Sequence, residues 1–237
     1  MINNLNIKAF DPIELISSVV KRLINKNIGL KKFCNTLLCI IALFSPVSLY
    51  AQTVNVIMYG DSISAGYGMT TPESWPYLLN ETFKTEKSKI NLINESISGE
   101  TTGGGLARLP AVLKRHDLSS KDWLLIELGG NDGLRGFPAT TVRNNLSKMI
   151  NMAKDSGLNV AIMQVRIPPN YGKRYTKMLE AIYPNLAEKN GLPLLPFFMD
   201  QVAINPNYMQ DDGIHPNVSA QVIIRDIMKE QLESLVN

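Results

Sequence analysis

Hydrophobic and polar positions along the chain follow two alternating periods. Val54, Val56, Ile57 and Met58 form an apolar, β-branched run that meets Gly60, then the polar pair Asp61 and Ser62, then small residues and two more glycines. That order predicts a buried strand ending in a tight turn into a helix. Pro72 to Lys84 carries apolar residues at helical spacing, with Pro72 tolerable in a first turn. A short strand is expected at Ile90 to Glu95, followed by a Gly- and Thr-rich loop and a helix ending near His116. Trp123 to Gly130 is apolar on both faces, as a central parallel strand requires. Helices are expected at about Pro138 to Ser156, Lys173 to Asn190 and Asn217 to Val236, with strands at Asn159 to Val165 and Leu194 to Phe198. Strands and helices alternate throughout, so the class is α/β, a parallel sheet covered on both faces. No repeat or linker interrupts the stretch from Gln52 to Asn237, which reads as one domain.

Composition adds a boundary near residue 51. Six of the 24 Lys and Arg but only two of the 21 acidic residues precede Gln52, leaving 18 against 19 beyond it. The formal charge of +3 therefore belongs to the N-terminal segment, and nucleic acid is not an expected partner. Within that segment Lys31 and Lys32 precede an apolar stretch, Phe33 to Phe44, then Pro46 and the small residue Ala51. This is the pattern of an export signal, and residues 1–51 are expected to be removed, with an uncleaved anchor as the alternative. The mature protein is then expected to be periplasmic or secreted, monomeric, and without a stable membrane span. Cys34 and Cys39 both lie in the segment, so disulfides, thiol catalysis and Cys-based metal sites are not expected beyond it.

In a parallel sheet, functional loops gather outside the carboxyl ends of the strands. Four polar, Gly-bearing segments are expected there: Gly60 to Ser62, Ser98 to Glu100, Gly129 to Asp132 and Asp211 to Pro216. A serine at a strand-to-helix turn is exposed beside free backbone N–H groups, but it needs a base to act as a nucleophile. The chain has two histidines. His116 ends a helix beside Lys114 and Arg115 and reads as a solvated cap. His215 lies three residues after Asp212, close enough for that carboxylate to accept from Nδ1–H and leave Nε2 for Ser62. Asp211 competes with Asp212 for this role. Candidate donors to an oxyanion are the backbone N–H groups of Ser62 and Gly99 and the side-chain amide of Asn131. Each block also has a plainer reading, as a cap or an ordinary turn.

Taken in order, GDSIS (60–64), Gly99, GGND (129–132) and DGIHP (212–216) resemble the four blocks of the SGNH (GDSL) hydrolase superfamily. Segments such as GGNDGLRGFP, RIPPNYGKRY and MQDDGIHPN are similar to the bacterial periplasmic thioesterase I / lysophospholipase / arylesterase group. The resemblance implies a flavodoxin-like three-layer α/β/α sandwich with a five-stranded parallel sheet in the order 2-1-3-4-5. It implies Ser62 as nucleophile, His215 as base and Asp212 as its orienting partner, with Ser62, Gly99 and Asn131 as the oxyanion hole. It also implies a serine hydrolase of fatty-acyl, lysophospholipid and aryl esters and of thioesters, needing neither cofactor nor metal. Ile63 stands where many members have leucine. Leu134 to Ala139, where the family's specificity loop falls, and Pro168 to Gly172 are expected to rim an acyl groove. Asp61 is expected to orient the nucleophile turn, and Glu127, a carboxylate in a buried strand, to pair with Arg166.

Two other functions compete. One is a carbohydrate or small-ester deacetylase on the same scaffold. The other is a non-enzymatic nucleotide- or flavin-binding protein, against which TTGGGLARL lacks both the Lys-Ser/Thr of a phosphate loop and the last glycine of a dinucleotide turn.

Overall fold

The structure, a computed structural model, describes Ser17, Ser18, Lys21 and residues 53–237. The expected export signal and both cysteines lie outside the described residues. Ala51–Asn237 is a compact unit by itself. The first strand, β1 (Val54–Gly60), lies inside the sheet, paired in parallel with β2 (Ile90–Asn94) on one side and β3 (Trp123–Glu127) on the other. Beyond β3 come β4 (Asn159–Met163) and a two-residue β5 (Leu194–Leu195), all parallel, in the order 2-1-3-4-5. Successive side chains point to opposite faces, so β1 feeds two separate cores.

On one face Ile57 and Tyr59 join Leu124 and Ile126 beneath α3 (Thr102–Arg115) and α5 (Ala139–Asp155). On the other, Val56 and Met58 meet Leu125 beneath α2 (Trp75–Thr85) and the last helix, α9 (Val218–Val236). This is the three-layer α/β/α sandwich. Among the described residues no helix is long and apolar enough to cross a membrane.

Two expectations about elements are corrected. The helix expected over 173–190 is two helices, α6 (Lys173–Glu180) and α7 (Ile182–Asn190). Pro184 has no N–H to offer the carbonyl four residues back, Glu180. Gln164 Nε2 satisfies that carbonyl instead, at 3.2 Å. The last strand stops at Leu195 because Pro196 cannot extend the ladder, and Met199–Val202 turns into the short helix α8. Within the TTGGGLARL segment, Gly105 lets α3 approach the sheet: a Cβ there would collide with Leu128. This glycine serves helix packing.

Candidate active site

The turn after β1 enters α1 (Ser62–Ala65), capped by Asp61, whose Oδ1 accepts from the backbone N–H of Ile63 at 3.2 Å. The turn can be this tight because a Cβ on Gly60 would strike Glu127 Oε2. Ser62 Oγ lies 2.8 Å from His215 Nε2, across 153 residues of chain, and His215 Nδ1 lies 2.6 Å from Asp212 Oδ2. Asp212 Oδ1 accepts from the backbone N–H groups of Ile214 and His215, each at 2.9 Å. Burial opposes ionisation of Asp212, but these hydrogen bonds outweigh it and bring its carboxyl down to about 2. An ionised Asp212 accepts a hydrogen bond from Nδ1–H, so Nε2 is the nitrogen that accepts from the Ser62 hydroxyl. The Tyr67 ring covers the imidazole, with centroids 4.3 Å apart.

Asn131, in α4 (Gly130–Leu134), donates through Nδ2 to Asp61 Oδ2 at 3.2 Å and leaves the second amide hydrogen for a ligand. Asp61 thus orients the Ser62 turn, as the sequence suggests, and Asn131 as well. Its neighbour Asp132 is fully buried and accepts from both the N–H and the hydroxyl of Thr102, at 2.8 and 2.6 Å, which fixes the GGND turn against α3. Gly99 has φ +78°, a conformation glycine adopts without strain, and Arg135 donates to its carbonyl at 3.1 Å. The structure thus links Ser62, His215, Asp212 and, through Asp61, Asn131. Gly99 is not one of the residues lining the adjoining cavity.

Two sequence expectations fail. Glu127 does not pair with Arg166; its Oε2 accepts from Ser64 Oγ at 2.8 Å, beneath the nucleophile turn. Arg166 is held instead by Glu180 and Asp200, at 2.9 and 3.1 Å. His116 does end α3, but it is not a solvated cap, since its Nε2 lies 2.7 Å from Glu95 Oε1. Asp211 is exposed and the histidine's partner is Asp212. Sequence reasoning missed Asp132 and also Gln210, whose side-chain amide donates to the carbonyls of Tyr67 and Pro216 at 2.9 and 3.0 Å. The only hint of Asp132 is its place beside Asn131; nothing in the sequence points to Gln210.

Two buried carboxyls sit under the site. Burial raises Asp61 to about 6, against hydrogen bonds from Ile63 and Asn131 and the pull of the imidazole. Burial and the charge of Asp61 push Glu127 well above the carboxylate range. Above them opens a cavity of about 450 Å³, within the size range of small-molecule sites. Its walls are mostly apolar: Ile63, Leu134, Val165, Ile167, Phe197 and Ile204 among others. Of the two segments expected at its rim, Leu134, Pro168 and Pro169 line it, and further wall comes from residues after β4 and β5, from α8 and the residues that follow it, and from the loops of Ser62 and His215. Among the described residues no group of three or more His, Cys, Asp or Glu could hold a metal ion.

The GDSL-like lipase/acylhydrolase profile matches residues 58–222, a span holding the whole constellation. The chain belongs to this family. Individual relatives match over a longer stretch than the profile does. An arylesterase of Vibrio mimicus is 47% identical over 196 residues, covering 83% of this chain and 96% of that one. Thioesterase 1/protease 1/lysophospholipase L1 of Escherichia coli is 49% identical over 187 residues, 79% and 87% of the two chains. Among solved structures, a psychrotrophic esterase EstA from Pseudoalteromonas, inhibited by monoethylphosphonate, superposes with a TM-score of 0.74 at 41% identity. It covers 77% of this chain and 98% of that one.

Proposed function

We propose that this GDSL-family chain is a serine hydrolase that cleaves fatty-acyl esters and thioesters, lysophospholipids and aryl esters among them, through an acyl-enzyme on Ser62. The observation that carries the reading is the unbroken hydrogen-bond line from Asp212 through His215 to Ser62 at the foot of an apolar cavity. Ser62 Oγ attacks the carbonyl carbon as its proton passes to His215 Nε2. The carbonyl oxygen, now an oxyanion, accepts from the backbone N–H groups of Ser62 and Gly99 and the free hydrogen of Asn131 Nδ2. The imidazolium, stabilised by Asp212, then protonates the departing alcohol or thiol, and a water deprotonated by the same imidazole releases the acid. The names of the similar arylesterase and thioesterase/lysophospholipase support this substrate range. The apolar walls favour acyl chains over the short acetyl groups a deacetylase removes.

Hydrolysis of a C2 to C16 p-nitrophenyl ester series and of palmitoyl-CoA tests the proposal. Ser62→Ala is expected to lose at least about 10³-fold in kcat, and activity is expected to rise with acyl length over the early part of the series. Substantial turnover by Ser62→Ala would show that another residue is the nucleophile. We also read residues 1–51 as a leader removed on export, on the pattern of Lys31 and Lys32 ahead of Phe33 to Phe44. The intact mass of the protein recovered from the periplasm or the medium is expected to correspond to a chain starting near Gln52; a mass including residue 1 would refute the leader.

A further inference from the structure

We propose that the exposed face of α6, with the apolar side chains beside it, docks on an anionic lipid surface at the edge of the active-site cavity. Helix α6 has two faces: Thr176 and Leu179 are buried, whereas Lys173, Arg174, Lys177 and Met178 are exposed. The three cations fall within five residues, and none of them makes an ion pair among the described residues. The one acid of the helix, Glu180, is occupied by Arg166 at 2.9 Å. Residues 52–237 hold 18 basic and 19 acidic side chains, so the cluster is a local concentration on an otherwise balanced domain.

Apolar groups adjoin the charge. Met178 is 47% exposed, Tyr171 just ahead of the helix is 39% exposed, and Phe137 on the neighbouring loop is 38% exposed. Helix α6 is tied to the Phe137 loop where Tyr175 Oη donates to the Phe137 carbonyl at 2.6 Å. Cations flanked by exposed aromatic and thioether side chains suit a surface that offers phosphates outside and acyl chains beneath, and a basic amphipathic face of this kind reads as membrane-binding. Pro168 and Pro169, which lead into Tyr171, line the cavity itself, as does Leu134 on the Phe137 loop. A lipid held at α6 therefore lies next to the opening. The docking stands on the surface alone; that it delivers substrate rests on the ester-hydrolase reading above.

The test uses residues 52–237, whose counterparts stand as folded chains in the solved relatives, the Pseudoalteromonas esterase matching over 98% of its length. Flotation with phosphatidylglycerol/phosphatidylcholine vesicles is compared with flotation on phosphatidylcholine alone, at low and high salt. The wild type is expected to bind the anionic vesicles, to bind the zwitterionic ones far less, and to detach as salt rises. A triple variant, Lys173→Glu with Arg174→Glu and Lys177→Glu, is expected to lose about 100-fold or more in partition. A milder Lys173→Gln, Arg174→Gln, Lys177→Gln triple is expected to lose about 30-fold or more. Hydrolysis of a soluble butyrate ester is expected to be unchanged in both triples and reports that they are folded. Equal binding to both vesicle types, no binding, undiminished binding by the glutamine triple, or tighter binding to a single-stranded oligonucleotide than to the vesicles would each overturn the proposal. Wild-type flotation without ester hydrolysis would leave the docking intact and remove the hydrolase reading instead.

Discussion

Asp212 and Glu127 carry the same functional group into opposite surroundings. The Asp212 side chain is 39% exposed, and its hydrogen bonds bring it to about 2, so it is ionised wherever the imidazole needs a partner. Asp212→Asn removes that charge and favours the wrong tautomer, and is expected to lower kcat about 10³- to 10⁴-fold with little change in KM. Asp211→Asn, assayed beside it, is expected to leave the rate unchanged; the reverse ranking would reassign the partner. Glu127 is 1% exposed and, with Asp61, is protonated more readily in the folded chain than in the unfolded one. Because both folded values lie above the unfolded ones, their stabilisation is complete below about pH 4 and is lost as pH rises through about 6 and beyond. Asp212 acts in the opposite sense, its contribution present above about pH 4 and lost toward pH 2. Urea unfolding is therefore expected to need less denaturant at pH 8 than at pH 5. In Glu127→Gln, which cannot ionise, that difference is expected to shrink. Equal pH slopes in the two proteins would mean that Glu127 is ionised throughout.

At the scale of elements, the site is a joint between two loops far apart in sequence. Gln210 spans it: its backbone N–H donates to the His215 carbonyl at 2.8 Å, while its side chain reaches the Tyr67 carbonyl on the nucleophile side. Met209 and Pro216 bridge the same histidine loop to itself. Replacing Gln210 by Leu, similar in volume but without donors, is expected to let the imidazole drift from Ser62 and cut kcat about 10- to 100-fold at nearly constant KM. A parallel loss in the rate of labelling by a fluorophosphonate would tie the effect to the nucleophile. A rise in KM alone would place Gln210 in substrate binding.

For the whole molecule, what could be read beforehand was whatever chemistry the chain displays locally. Ser62 and Asn131 stand out because each is a polar residue in a glycine turn at the end of an apolar strand, and parallel strands bring such ends to one edge; His215 stands out because it lies in a glycine turn three residues after Asp212. Long-range choices were not legible. Glu127 and Arg166 looked paired because they end adjacent strands, yet one points under the nucleophile turn and the other toward Glu180 and Asp200. The break between α6 and α7 was hidden because apolar spacing continues through Pro184, and only the rescue of the Glu180 carbonyl by Gln164 shows what the proline displaced. The sequence shows a lysine and an arginine beside His116, whereas Glu95, 21 residues away, sets its surroundings.

The 153 residues between Ser62 and His215 also govern when the protein becomes reactive. During synthesis the hydroxyl leaves the ribosome long before the imidazole exists, and until all five strands have closed in order it is an ordinary alcohol. A half-made or extended chain is thus harmless to the lipids around it. Potency arrives only with completion of the fold.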